Sequence, residues 1–182
     1  MIVYLDMDGV IANFFKAFAE KNGVDHWKEI KDVEASIKEL AKTDFFGTLD
    51  KYPTAVPLID FVKEHFGDDW GICSSPLRGD TKNSAFWKEE WLRKEGFMPK
   101  KENLIFTHNK AKFATTNGFP NVLIDDKPLN IKKWQAKGGI GIRYQANEDS
   151  LQALLAALMF QKALLGTLEN LPNDEQAVPA IA

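Results

Sequence analysis

A chain of 182 residues is long enough for one domain with a substantial core, or for one domain carrying a small insertion. Its 45% hydrophobic and 27% charged residues are those of an ordinary globular protein and exclude a disordered or fibrous one. A net charge of −3, from 23 basic and 26 acidic side chains, excludes a broad nucleic-acid surface but not a nucleotide substrate, and the single cysteine, Cys73, excludes a disulfide framework.

The first element is the apolar run Ile2-Val3-Tyr4-Leu5, whose β-branched and aromatic content predicts a buried strand. Neither a basic leader nor a long apolar stretch precedes it, so no signal peptide, no membrane partner and a cytoplasmic location are expected. The strand ends in Asp6-Met7-Asp8-Gly9-Val10. Residues two apart leave a strand on the same side, so Asp6 and Asp8 start out as neighbours, and Gly9 permits a tight turn. Adjacent carboxylates repel unless a divalent cation lies between them or their roles differ. A solvated Asp-Gly turn is the plainer alternative.

After Val10 the spacing of Phe14, Phe15, Phe18 and Ala19 predicts a helix ending at Asn22-Gly23. Residues 25–43 read as one or two amphipathic helices, and Phe45-Phe46 leads to Pro53 and Pro57. A helix carrying Leu58 to Phe66 precedes a second strand, Trp70 to Cys73, which ends in Ser74-Ser75-Pro76. Residues 81–95 read as a helix with Phe86, Trp87, Trp91 and Leu92 on its buried side, stopped by Gly96. The third strand, Asn103 to Thr107, leads into the polar loop His108 to Lys112. The fourth, Val122 to Ile124, ends in Asp125-Asp126. A helix over 129–136, a fifth strand over 140–144 and a helix over 151–165 with Leu151, Leu154, Leu155, Leu158 and Met159 on its apolar face complete the pattern.

Short apolar strands alternating with helices predict an α/β fold with a parallel sheet covered on both faces. Ligands bind beyond the carboxyl ends of such strands. Here the first four end in Asp6/Asp8, Ser74/Ser75, Thr107 with Lys110, and Asp125/Asp126, which unrelated solvated turns would not do repeatedly. Asp6 and Asp125 offer hard oxygens suited to Mg²⁺, whereas His26, His65 and His108 lack zinc-ligand spacing. Lys110 would neutralise a phosphate and Ser74 would hydrogen-bond it. Asp6 is then a candidate nucleophile and Asp8 a candidate general acid and base.

These motifs, in this order across residues 6–126, resemble the haloacid dehalogenase (HAD) superfamily of phosphotransferases. The resemblance implies a Rossmann-like three-layer core, carried by residues 1–14 and 54–165; residues 15–53 read as a small helical cap inserted after the first strand, and 166–182, where Pro, Asn, Asp and Ala dominate, as a flexible tail. It implies that Mg²⁺ contacts Asp6, the backbone carbonyl of Asp8, and Asp125, with Asp126 one layer behind. An aspartate at position 8 favours phosphatase over dehalogenase. Within the superfamily the chain is most similar to the 5′(3′)-deoxyribonucleotidases, through Asp6 to Val10, Phe14, Phe45-Phe46, Ile72 to Pro76, and Asp125 to Lys127. Ser74 replaces the family's usual threonine and keeps the hydroxyl. The family's stretch between lysine and the aspartate pair is shorter, which leaves Lys110 and Lys112 as alternatives, with the Thr107-x-x-Lys110 spacing favouring Lys110.

The expected substrate is a small phosphomonoester, a nucleoside monophosphate first among them. Phe14, Phe45, Phe46 and Trp27 are candidates to stack on a base, or else simply pack the cap; Arg78 is a candidate to hold phosphate or sugar, or else a solvated side chain. A polynucleotide 3′-phosphatase and a catalytically inactive HAD-like binding module are the alternatives. Homodimerisation stays open.

Overall fold

The apolar runs pair in parallel in the computed structural model, which describes residues 1–169. In chain order the elements are β1 (Val3–Leu5), α1 (Phe14–Lys21), α2 (Val33–Lys38), α3 (Ala55–Phe66), β2 (Trp70–Ser74), α4 (Thr81–Glu95), β3 (Leu104–Phe106), β4 (Thr115–Thr116), β5 (Phe119–Pro120), β6 (Val122–Asp125), α5 (Pro128–Gln135), β7 (Ile140–Arg143) and α6 (Leu151–Glu169). The sheet order is β3-β2-β1-β6-β7, all parallel. Helices flank it, giving a Rossmann-like α/β fold. The chain winds outward from β1 in both directions, so the order reverses between β1 and β6. That reversal opens a crevice at the carboxyl edge, where ligands bind in such sheets.

Burial explains why the central strands carry no alternation: β1, β2 and β6 are buried at every position. Tyr4, Cys73, Ile105, Leu123 and Trp134 form one core cluster, with Trp134 edge-on to Tyr4 at 5.9 Å between centroids. The Trp134 indole N–H donates to the Asn121 carbonyl at 3.0 Å, so its polar atom is satisfied inside the core. Burial pushes the Cys73 thiol up to about 12, as suits a packing residue and not a nucleophile.

Four local readings differ from the structure. Residues 25–43 form only the six-residue α2 and a 3-10 turn at Trp27–Glu29, because the backbone turns extended at Ile30 and a new helix starts at the Asp32 cap, whose carboxylate accepts the Ala35 N–H. The polar loop after β3 contains a 3-10 turn, Lys110–Phe113, and leads into the β4-β5 hairpin, which is too short to show a strand period. On α4 the buried residues are Ser84, Lys88, Trp91 and Leu92, whereas Phe86 is 55% exposed. Finally, α6 runs on to Glu169, and the rest of the segment expected as a tail lies outside the described residues. Within α6, Met159 is exposed despite its place on the apolar stripe.

Residues Met1–Asp149 form one compact unit, and α6 belongs to a second that begins at Ser150. No helix among the described residues is long and apolar enough to cross a membrane.

The turn after β1 depends on Gly9. Its φ is +80°, and a Cβ there would sit 3.0 Å from the Asp126 Cγ and 3.0 Å from a Phe15 ring carbon. Its N–H donates to the Ala12 carbonyl and its own carbonyl accepts from Ala146. Gly9→Ala therefore meets both backbone strain and a crowded neighbour. Urea denaturation should register a loss of roughly 1–3 kcal/mol, and an unchanged midpoint would show that the turn relaxes.

Candidate active site

Parallel register sets two carboxylates side by side. Leu5 is level with Ile124, so Asp6 and Asp125 leave β1 and β6 together. Both are buried, at 5% and 0% exposure, and two such groups require a cation. Lys110 supplies it, with Nζ 2.8 Å from Asp6 Oδ2 and 2.5 Å from Asp125 Oδ2. Burial works against the Lys110 charge, but Asp6 and Asp125 outweigh it and hold the ammonium above its usual range. Lys112 is exposed on the same 3-10 turn and does not reach the carboxylates.

The three neighbouring acids are not equivalent. Burial penalises the Asp6 charge, yet the ammoniums of Lys110 and Lys88, with hydrogen bonds from Lys110 and Ser74, keep Asp6 below the ordinary carboxylate range. Its Oδ1 accepts the Met7 N–H at 2.7 Å. Asp125 is shifted upward, by burial first and then by the Asp6 charge. The Lys127 N–H donates to Asp125 Oδ1 at 2.9 Å, and the Asn130 amide lies 3.0 and 2.9 Å from its two oxygens. Burial, followed by the charges of Asp6 and Asp125, pushes Asp126 up to about 7.

Oxygens of Asp6, Asp125 and Asp126 lie within 4.8 Å of one another, and Asp126 Oδ1 is buried with no hydrogen-bond partner among the described residues. Closely spaced hard oxygens, one of them orphaned, fit a hard divalent cation. The structure thus groups Asp126 with the acids it was expected to stand behind.

The Asp8 side chain lies outside that cluster. Its Oδ2 accepts from Lys88 Nζ at 2.7 Å, and its Oδ1 is buried and unpartnered among the described residues. Lys88 Nζ also donates to Ser74 Oγ at 3.1 Å and lies 4.8 Å from the centroid of the Phe46 ring. Sequence reasoning does not find Lys88, since a lysine on an amphipathic helix is by default solvated. Its one signal is its spacing from Ser84 and Trp91, which places all three on the buried face of α4.

A cleft of about 520 Å³ collects Asp8, Phe14, Phe46, Ser75 and Arg78, five of the residues singled out from the sequence. Lys127, the end of the Asp125 to Lys127 segment, and Lys133, which sequence reasoning passed over, line it from the α5 side. Lys110 lines a neighbouring cavity of about 500 Å³ that shares His108, Asn130 and Lys133 with the cleft. The Phe14 and Phe46 rings are stacked, 6.3 Å apart at 14°. Phe45 and Trp27 do not line the cleft: Phe45 packs edge-on against Phe14, and Trp27 stacks on Phe15. Both serve packing here.

The charge balance at the crevice can be tested in the absence of metal. Lys110→Met leaves Asp6 and Asp125 facing each other with no bridging cation, and urea denaturation should show a loss of about 3–5 kcal/mol. The exposed Lys112→Met should stay within about 0.5 kcal/mol of wild type. Equal effects for the two would contradict the bridging role.

Comparison with one solved structure agrees with the fold. A HAD family hydrolase from Deinococcus radiodurans R1, solved with bound phosphate and sodium, superposes with a TM-score of 0.54 at 17% identity, over 91% of this chain and 96% of that one. A HAD family enzyme from Bacteroides thetaiotaomicron, in its magnesium complex, gives 0.46 at 12% identity over 84% and 97%. No curated protein matches the chain. The model of one family, described as 5′ nucleotidase, deoxy (Pyrimidine), cytosolic type C protein, matches residues 1–157. The chain therefore belongs to that nucleotidase family and is a phosphatase.

Proposed function

We propose that this phosphatase is an Mg²⁺-dependent 5′(3′)-nucleotidase of the cytoplasm that hydrolyses nucleoside monophosphates through an aspartyl-phosphate on Asp6. The observation that carries the substrate class is the cleft, which combines a phosphate-binding end at Asp8 and Ser75 with the stacked rings of Phe14 and Phe46. Its volume of about 520 Å³ lies within the range of small-molecule sites. Aromatic faces bind bases through stacking, whichever base is present. On this reading residues 15–53, which supply Phe14's neighbours and Phe46, act as a cap over the core.

Asp6, Asp125 and Asp126, with the backbone carbonyl of Asp8, would hold Mg²⁺, which supplies charge neutralisation for the phosphoryl oxygens. Lys110 adds a second positive charge beside Asp6, and Ser75 donates a hydrogen bond to phosphate. An Asp6 oxygen attacks phosphorus while Asp8 passes a proton to the departing ester oxygen, so the nucleoside leaves as an alcohol. Asp8 then removes a proton from the water that attacks the aspartyl-phosphate, which frees phosphate and regenerates Asp6. Separate surroundings suit the two aspartates to their separate roles: Asp6 held ionised between ammoniums, Asp8 outside the carboxylate cluster.

A second reading, a polynucleotide 3′-phosphatase, draws support from the exposed basic side chains Arg78, Lys127 and Lys133 along the cleft.

A panel of 5′- and 3′-mononucleotides, sugar phosphates and 3′-phosphorylated oligonucleotides, each with Mg²⁺ and with EDTA, separates these readings. Turnover of mononucleotides with Mg²⁺ and none with EDTA is expected; a preference for oligonucleotide ends would favour the second reading. Asp6→Asn should lower turnover by on the order of a thousandfold or more while leaving the fold intact. Wild-type turnover by that variant would sink the nucleophile assignment. Mg²⁺ should raise the melting temperature of wild type and fail to do so for Asp125→Asn.

A further inference from the structure

The ammonium of Lys88 is fully buried, at 0% exposure. Removing such a group from water costs several kcal/mol, and a residue needed only for packing would be an aliphatic one. Its surroundings are specific. Asp8 Oδ2 lies at 2.7 Å, Ser74 Oγ at 3.1 Å, and the Phe46 ring covers it at 4.8 Å. Asp8 is its only carboxylate partner among the described residues. Lys88 does not line the cleft, whereas Asp8 and Phe46 do. A substrate in the cleft therefore meets Asp8, and neither Lys88 nor Ser74, directly.

We propose that Lys88 is a positioning residue that fixes the general acid Asp8 and the Ser74 hydroxyl beside Asp6 in one geometry by bonding both from a single buried ammonium. The inference rests on the reading of Asp8 as the acid that protonates the leaving oxygen. By donating to Ser74 Oγ, the ammonium occupies an acceptor lone pair of the hydroxyl and leaves its proton for Asp6, the candidate nucleophile. By donating to Asp8 Oδ2, it limits rotation of a carboxylate whose residue is otherwise half-buried at the cleft wall. The rest of α4 keeps Lys88 in place. Four residues before it, Ser84 Oγ accepts the Leu77 N–H at 2.8 Å, tying α4 to the loop after β2. Three residues after it, the Trp91 indole N–H donates to the Leu49 carbonyl at 2.6 Å, tying α4 to the segment that follows Phe46.

A positioning role through Asp8 has a signature that a packing role lacks. Esters with poor leaving groups need the acid, while activated aryl phosphates, whose leaving phenolate needs no proton, do not. Lys88→Met should lower kcat/KM on a nucleoside monophosphate by roughly a hundredfold, and leave kcat/KM on 2,4-dinitrophenyl phosphate, which reports only formation of the aspartyl-phosphate, within about threefold of wild type. Lys88→Gln, which keeps an N–H donor without the charge, should recover part of the loss and serves if the Met variant does not fold. Asp8→Asn is the reference and should show the same dependence on leaving group, with no further loss on adding Lys88→Met. An equal loss on both esters for the Lys88 variants, or none, beside a leaving-group-dependent Asp8→Asn overturns the positioning role and leaves the assigned mechanism standing. A leaving-group-independent Asp8→Asn overturns the acid assignment itself, and the Lys88 inference with it.

Discussion

The crevice between β1 and β6 imposes one electrostatic constraint from which the rest of the site follows. Parallel pairing in register delivers Asp6 and Asp125 to adjacent strand ends where water is largely excluded, and Asp126 follows directly. Carboxylates there repel each other and lack solvent to screen them. Lys110 bridges the first pair, yet one ammonium does not balance three acids. Burial and mutual repulsion push Asp126 up to about 7, the sign of a site with more negative charge than its own cations offset. Such a place suits a hard cation, and the strand order is what creates it.

A second constraint explains how one fold keeps two aspartates, two residues apart, in different states. Asp6 stays in the sheet crevice with Lys110, while the turn at Gly9 carries the chain away and Asp8 joins a different cation, Lys88. Asp8 pairs with Lys88, while Asp6 shares Lys110 with Asp125. Helix α4 makes this division possible because its buried face spans the distance from the loop after β2 to the segment after Phe46. Where Gly47 meets that helix, a Cβ would lie 2.7 Å from the Trp87 ring, so the helix and the aromatic turn pack with no room for a side chain between them. Phe46 is seated over Lys88 as part of the same contact.

The aromatic residues divide in the same manner. Periodicity and composition mark Phe14, Phe45, Phe46 and Trp27 alike, since each is a large ring near the site in sequence. Only Phe14 and Phe46 face the cleft; Phe45 and Trp27 are consumed in ring-to-ring packing.

What the sequence determines alone is whatever depends on strand ends. A short apolar run announces its own strand, and the polar residues that follow must emerge at the carboxyl edge, so Asp6, Asp8, Ser74, Lys110 and Asp125 are legible in the chain itself. Spacing favours Lys110 over Lys112, but both are lysines in one polar loop, and burial is what separates them. Asn130 and Lys88 needed the fold entirely. Lys88 is 80 residues from Asp8, and its helix shows the usual mixture of charged and aromatic residues. Periodicity even assigned the buried face to Phe86, which is exposed. Local spacing tells which residues share a face of a helix, but not which face meets the core. That is settled by long-range partners, and here the partner was a carboxylate that made a buried lysine tolerable.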